Sequence, residues 1–398
     1  MAPAEPGRPS LLSTIVVRRL GPTAYAELGP VFAELARHAL EPNPHMAPAA
    51  VSAATVLVPE QDIVVLCAWL SEALDFEQLV GIWTFRRVSG WRSGFAGALA
   101  APLVPLYEVS SLPVLDRDHG AEAARALMRY LLASRDLPHR LLLPLLPLDG
   151  PCYAALAEAC RQTGSAISTY ERWVRPVMIP RPEDNFEAYL RRALGSSYKK
   201  RMQQFRAVAK QGALTFRRNR GRGALEALDS FLTLEASGWK GEEGTAIACL
   251  PADTAYFRRL AELCAGDDTL LIDTLLHDGR AIAMGLLIES GNRRHFLKIA
   301  YDETQSRHSP GRTLAIAMLQ ADFNGTPPAF FDSGAGEGVD AGTYVWGERR
   351  EMANAIIRVG PGRAGLAQIA AFSRMWLRRL RDARRARSDR AASGRPPA

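Results

Sequence analysis

Along the 398-residue chain, apolar residues alternate with polar ones over short runs and recur every three or four residues over longer ones, so strands and amphipathic helices are both expected. In the first half this patterning predicts strands over 13–18, 63–70, 79–87, 140–146 and 168–179, and helices over 24–38, 121–132 and 151–162. EPNPHMAP, after the first helix, reads as turn, and the proline-punctuated run 102–115 reads as irregular. IPRPED, after the strand over 168–179, has the composition of a domain boundary.

The second half is more sharply patterned. Helices are predicted over 185–194, 197–211, 224–237, 251–264 and 311–323, and strands over 213–218, 269–276, 281–289, 293–301, 329–332 and 352–359. The three central strands form a meander, because Asp278-Gly279 and Gly291-Asn292 between them are tight-hairpin pairs. The order is strand, two helices, meander, helix, strand, final strand. The first half can be laid on the same scheme, although no residue-level repeat is visible. The expectation is an α/β protein of two similar domains, 1–180 and 181–362, followed by a basic helix and tail over 363–398.

Nearly half of the residues are apolar, enough for two cores without disulfides or a structural metal. The five cysteines (Cys67, Cys152, Cys160, Cys249, Cys264) are odd in number with no C-x-x-C pair, and the histidines never stand at ligand spacing, so no metal is expected. The first twenty residues lack the apolar core of a secretory signal, and RLLLPLLPL at 140–148 is broken by prolines and too short to span a bilayer. A soluble, cytoplasmic protein is expected. The net charge of +7 is unevenly spread: the segment from Arg374 onward holds nine arginines and two aspartates, which accounts for all of it. A second basic zone, 191–222, holds eleven Lys and Arg and no acid, an asymmetry that can mark anionic partners.

The strongest local signal for chemistry is Ser309-Pro310-Gly311-Arg312-Thr313, between the last meander strand and an apolar helix. Serine is a favoured N-cap and proline a favoured first helical residue. The amides of Gly311, Arg312 and Thr313 would point outward as an anion site, reinforced by Arg307 and Arg312. Just before it, Lys298 and Tyr301 lie on the strand, and Asp302 and Glu303 sit where a general base or an amine-binding carboxylate would be useful. Equally, these acids could cap the strand end or pair with nearby arginines. Ser237-Gly238-Trp239-Lys240-Gly241 could wall a substrate pocket or simply stop a helix. The glycine-rich loop 333–338, preceded by Asp332 and containing Glu337, could cradle a substrate; it is neither a Walker loop nor a Rossmann fingerprint. With no G-x-S-x-G elbow and no cysteine in a catalytic setting, direct transfer in a ternary complex fits better than a covalent enzyme intermediate.

The order of elements in the second half, with its phosphate-type turn after the third meander strand, resembles the GNAT acetyltransferase superfamily. More narrowly it is similar to the cellulose-biosynthesis (CelD/BcsL-like) acetyltransferases, relatives of the FemAB-type peptidyl transferases with two GNAT-like domains in one chain. The resemblance rests on SSYKKRMQQFRAVAKQGAL, LEASGWKGEEGTA, LKIAYDETQSRHSPGRTL and FFDSGAGEG, with LEPNPHMAP in the first half resembling an EPNPF-like segment; it covers most of 20–360. It implies two tandem GNAT-like domains, each a mixed, largely antiparallel sheet flanked by helices. It also implies acetyl-CoA or another acyl-CoA as donor, and an amine or hydroxyl acceptor on a small molecule, glycan, lipid or peptide. By position, Gly311, Arg312 and Thr313 would face the CoA pyrophosphate, and Trp239, Lys240, Lys298, Asp302 and Glu303 would line the transfer site. The usual turn, Q/R-x-x-G-x-G/A, is not matched: Thr313 takes its last small position and Pro310 precedes the glycine. In FemAB relatives the donor is an aminoacyl-tRNA, so the fold leaves the donor open.

Other readings compete. The zone 191–222 could neutralise an RNA backbone with Tyr198 and Phe205 stacking, although Leu194, Tyr198, Met202, Phe205 and Val208 form an apolar stripe that would leave the cations as a solvated face. The segment after 363 begins with Leu366, Ile369, Trp376 and Leu380 roughly on one side, which could rest on an anionic membrane or dock as a last helix. A non-catalytic scaffold in exopolysaccharide assembly is the alternative of a different class.

Overall fold

A computed structural model describes residues 14–72, 76–89, 97–336 and 345–362. The predicted helix and tail after 363 lie outside them. The first half runs β1 (Thr14–Leu20), α1 (Pro22–Ala26), α2 (Gly29–His38), α3 (Pro48–Ala54), β2 (Ile63–Glu72), β3 (Phe76–Val88), β4 (Ala98–Ala100), β5 (Val114–Leu115), α4 (Gly120–Ala133), β6 (Arg140–Pro147), α5 (Gly150–Gln162) and β7 (Ala166–Met178). The second runs α6 (Phe186–Leu194), α7 (Tyr198–Gln211), β8 (Leu214–Arg220), α8 (Gly221–Ala236), α9 (Trp239–Glu242), α10 (Pro251–Leu263), β9 (Leu270–His277), β10 (Arg280–Ser290), β11 (Arg293–Tyr301), α11 (Pro310–Asn324), β12 (Phe330–Asp332) and β13 (Glu348–Arg358).

Most expected elements are present, and the departures have local causes. The single helix expected over 24–38 is two helices, because Pro30 lacks the amide that a continuous helix would bond to Ala26. EPNPHMAP is not only turn: Pro44 starts a short 3₁₀ turn and Pro48 starts α3, both at first helical positions where no amide is needed. The irregular run 102–115 ends in β5, a two-residue strand too short to show periodicity. In the β9–β10 turn Asp278 and Gly279 both take positive φ, 50° and 77°, as a type I′ hairpin requires.

One sheet runs through the molecule in the order β1-β2-β3-β4-β6-β13-β7-β12-β11-β10-β9-β8. Its two halves follow the same path. β1 to β4 are successively antiparallel, as are β8 to β11. β4 then runs parallel to β6 as β11 does to β12, with α4 and α11 as the crossovers. The last strand of each half completes the other. β7 pairs with β12, β13 pairs with β6, and β7 and β13 pair with each other from Glu348↔Val177 to Arg358↔Ala166. This reciprocal exchange makes the fold two interlocked units rather than two beads on a linker.

Buried polar groups fix the same junction. Glu41, buried in the EPNP segment, accepts from Arg350 of β13 at 2.9 Å and from Arg293 of β11 at 3.2 Å. Asn43 donates to the carbonyls of Ser110 and Leu112. His45 and His295 meet with ring centroids 6.4 Å apart, and burial pushes His295 down to about 4, so both rings are neutral at neutral pH. The apolar core of the first half continues into α8, α10 and β9–β11, while a second cluster joins α6 and α7 to the α11 face of the sheet.

Candidate functional site

β11 and β12 pair over only three residues, Arg293↔Phe330, Arg294↔Phe331 and His295↔Asp332, and then part. A cleft of about 740 Å³ opens between them, lined by β11 from Phe296 to Tyr301, by the first turn of α11 and by Ser333–Gly336 after β12. A strand edge without a neighbour offers free N–H and C=O groups to an extended ligand. Gly334 (φ +65°) makes the approach of the loop possible, since a Cβ there would run into the Phe296 carbonyl oxygen. Trp346 closes one side, stacked on Phe331 at 5.0 Å.

In the first half β4 and β6 likewise pair over two residues, Leu99↔Leu141 and Ala100↔Leu142. There the chain fills its own opening: Leu103, Val104 and Leu112 are buried, and Trp83 donates to the Ser111 carbonyl at 3.0 Å.

The α11 end of the cleft differs from expectation in one respect. Ser309 is not a side-chain N-cap: it is left-handed (φ 43°, ψ 60°) and its hydroxyl caps nothing. Its carbonyl instead accepts from the amides of both Arg312 and Thr313 at 3.0 Å. Thr313 is buried, and its hydroxyl donates to the His308 carbonyl at 2.8 Å. Of the three amides expected to point outward, that of Gly311 is left. Arg312 lines the cleft and forms no ion pair with a described residue; burial, then the charge of Arg201 on α7, lowers its pKa. Arg307 is exposed, its Nε 3.0 Å from Nε2 of His308.

Ile299 faces α11, where a Cβ on Gly311 would stand 3.1 Å from its Cδ1. Lys298, one residue earlier on the strand, points to the opposite face. There Glu235 of α8, only 2% exposed, accepts from Lys298 at 3.2 Å, from Lys240 at 3.3 Å and from the Ile247 amide at 2.9 Å. Lys240 also donates to the Ile299 carbonyl at 2.7 Å. Burial lowers the Lys240 pKa; Glu235 opposes that and Lys298 adds to it. The Lys298 ammonium stands 5.4 Å from the ring centre of Tyr107, a residue of the first half whose hydroxyl donates to Asp253 of α10. Burial raises the Tyr107 pKa, keeping it a phenol. Among the described residues the cleft is thus lined by Lys240, Lys298 and Arg312 and by no carboxylate.

The remaining candidates lie around this cleft rather than in it. Asp302 caps the turn after β11, accepting from the amide and hydroxyl of Thr304, and pairs with Arg280 at 3.0 Å. Glu303 accepts from the Trp239 amide at 2.9 Å and so caps α9. Trp239 begins that helix and is 44% exposed. Asp332 is buried against Arg175 of β7; burial alone would raise its pKa, but Arg175, the Gly334 amide and the other positive groups around it together hold it low. Glu337 lies outside the described residues. No group of three or more His, Cys, Asp or Glu side chains that could hold a metal occurs among the described residues. Nor is any helix among them long and apolar enough to cross a membrane.

Sequence reasoning missed Glu235, Tyr107, Arg175 and Trp346. Glu235 did leave a trace, as an acid on the stripe Ala224, Leu228, Phe231, Leu232 that α8 buries. Tyr107 left none, because its partners Lys298 and Asp253 lie more than a hundred residues away in the other half of the chain.

Within the second half, residues 196–337 match the family model described as an acetyltransferase (GNAT) domain. Over nearly the whole chain the structure is similar to FemX, at 10% identity with 86% of this chain and 97% of that chain covered and a TM-score of 0.56. It is also similar to the C-terminal domain (DUF2156) of a candidate lysylphosphatidylglycerol synthetase from Agrobacterium fabrum, at 12% identity, 88% and 96% coverage and a TM-score of 0.53. At such identities the likeness is one of fold. No curated protein is significantly similar in sequence.

Proposed function

We propose that the protein transfers an acyl group from acyl-CoA to an amine or hydroxyl acceptor, directly, in the cleft between β11 and β12. The observation that carries this is the parting of β11 from β12 after His295, which leaves a strand edge beside α11. The pantetheine arm would pair with that edge, and its pyrophosphate would meet the Gly311 amide and Arg312, with Arg307, Ser309 and Thr313 shaping the turn. The acceptor would enter from the opposite face, past Trp239, Lys240, Lys298 and Tyr107. The acceptor nitrogen or oxygen attacks the thioester carbonyl carbon. The new C–N or C–O bond forms as the C–S bond breaks, and the acceptor proton passes through water to the leaving thiolate. Lys298 and Lys240 supply positive charge on the side where the tetrahedral oxyanion develops.

Asp302 and Glu303 are engaged as caps, so no base role is assigned to them, and Asp332 is engaged by Arg175. The first half serves the site by contributing Tyr107 and by filling its own cleft. Polysaccharide or cell-envelope metabolism, as in the cellulose-biosynthesis acetyltransferases, is the setting that the sequence resemblance favours.

Calorimetric titration of acetyl-CoA into the wild type and a Gly311→Glu variant tests the donor assignment. Saturable binding that the variant abolishes supports it. No binding by a folded wild type sinks it and turns attention to aminoacyl-tRNA or a scaffold role.

A further inference from the structure

Between α6 and α7 runs an open groove of about 520 Å³, separate from the cleft. Its floor is apolar, formed by the buried side chains of Tyr198 and Met202. Its rim is basic. Lys199, Arg206 and Lys210 stand at i, i+7 and i+11 on α7, within about 40° of one another around the helix and in a row about 16 Å long. All three are exposed, and none is in an ion pair with a described carboxylate. The carboxylate of the groove, Glu187, is held by Arg191 and accepts from the Tyr198 hydroxyl at 3.4 Å. Arg192, Arg218 and Arg220, close by in sequence, are all paired, so the uncompensated charge of this zone is concentrated on α7.

Such a row suits an anionic partner. A flat anionic bilayer meets no anchor here, since no large apolar side chain is exposed on α6 or α7. A single-stranded nucleic acid finds no free aromatic face to stack on. Arg191 covers the Tyr198 ring, its guanidinium carbon 4.4 Å from the ring centre, and Phe205 does not line the groove. The arginine-rich segment after 374 carries the same sign as the row. An amphipathic acidic helix fits on both counts: its apolar face covers Tyr198 and Met202, and carboxylates at the same helical spacing follow the row.

The position of the groove gives that helix a purpose. α7 packs on the turn Glu303–His308, and Ser306 of that turn lines the cleft. A protein seated on α7 therefore stands beside the α11 end of the cleft, where pantetheine enters in the reading above. Of the three amides expected to receive a pyrophosphate there, only that of Gly311 is left, and pantetheine joined to a protein serine brings a single phosphate. We propose that the α6–α7 groove docks an acidic, helical acyl-carrier protein, which delivers the acyl thioester on its phosphopantetheine arm. The bonds made and broken are unchanged: the acyl carbon passes from sulfur to the acceptor, and the thiol stays on the carrier. The inference rests on the reading that a pantetheine thioester lies along β11, and it names what carries that thioester.

Binding of a bacterial acyl-carrier protein, in its acetyl-phosphopantetheine and apo forms, is measured calorimetrically beside acetyl-CoA. The proteins compared are the wild type, the double variant Lys199→Glu/Arg206→Glu and Arg129→Glu, which changes an exposed arginine of α4 in the first half. The wild type should bind the acetylated carrier about tenfold more tightly than the apo form, because the arm adds a second contact in the cleft. The double variant should lose about tenfold in affinity for both carrier forms while its melting temperature and acetyl-CoA binding hold, and Arg129→Glu should lose neither. Carrier binding without acetyl-CoA binding supports the carrier as the donor. No carrier binding by a wild type that binds acetyl-CoA, or carrier binding that survives the double variant, overturns the docking surface and leaves the pantetheine reading standing. Equal affinity for the acetylated and apo forms overturns delivery into the cleft. Phosphatidylglycerol vesicles or a single-stranded RNA that bind through Lys199 and Arg206, while the carrier does not, overturn the proposal in favour of that partner. Binding of neither the carrier nor acetyl-CoA sinks both readings together.

Discussion

Arg175 and Asp332, on strands from opposite halves of the chain, meet at 3.3 Å with side chains 1% and 2% exposed. The same guanidinium donates to the carbonyls of Ala335, in the cleft loop, at 2.9 Å and of Val109, in the first half, at 2.7 Å. One exchanged strand thereby holds the cleft wall in place. Arg175→Met should cost about 3–5 kcal/mol, because it leaves a buried carboxylate unpaired. The double variant with Asp332→Leu should recover part of that loss, and urea denaturation of the two variants measures both values.

Gly334 is required by its φ of +65° and by the Phe296 carbonyl against it, whereas a Cβ on nearby Gly336 would meet nothing within 4 Å. Gly334→Ala should destabilise by roughly 1–3 kcal/mol and weaken acetyl-CoA binding. Gly336→Ala should do neither. Thermal melts and calorimetry on the pair check this.

Glu235 shares one negative charge between two lysines. Glu235→Gln can still accept from the Ile247 amide but no longer favours either ammonium, so the pKa of Lys240, already lowered by burial, should fall further. Residue-resolved labelling with acetic anhydride across pH should show Lys240 becoming reactive at lower pH in the variant. An unchanged profile would mean that the carboxylate does not govern it.

Glu108, buried beside Tyr107, accepts from the amides of Val104 at 2.7 Å and Leu103 at 3.2 Å. Burial outweighs those bonds and raises its carboxyl from 4.5 to about 8 in the folded chain. The stability this contributes is complete below about pH 4.5 and is lost as pH rises through about 8. Between pH 6 and pH 9 the wild type should therefore lose on the order of 2 kcal/mol more unfolding free energy than Glu108→Gln. Denaturant titrations at the two pH values give the difference.

The periodic elements were legible in the sequence because each carries its own signal: the alternation of β9–β11, the Asp278-Gly279 turn and the apolar stripe of α8 are local. The strand exchange was not, because Met352–Val359 reads as a strand whichever sheet it joins. The sheet runs across residue 180, because β7 and β13 pair with each other and each with a strand of the opposite half. In the site, Lys240, Lys298 and Arg312 could be named from their motifs, and the cleft brings all three to its walls. What they touch could not be named, since Glu235 and Tyr107 come from a helix and a loop distant in sequence. Asp302 and Glu303 stand next to the motif but turn away as caps, an outcome that depends on Thr304 and α9 rather than on composition.

The central claim is that the donor lies along β11 beyond the point where β12 leaves it. Amide hydrogen exchange with and without acetyl-CoA tests it most directly. Slower exchange over 296–301 and at the start of α11, with the corresponding first-half segment 97–116 unchanged, is the predicted result. Protection confined to the first half, or none anywhere at saturating acetyl-CoA, would contradict it.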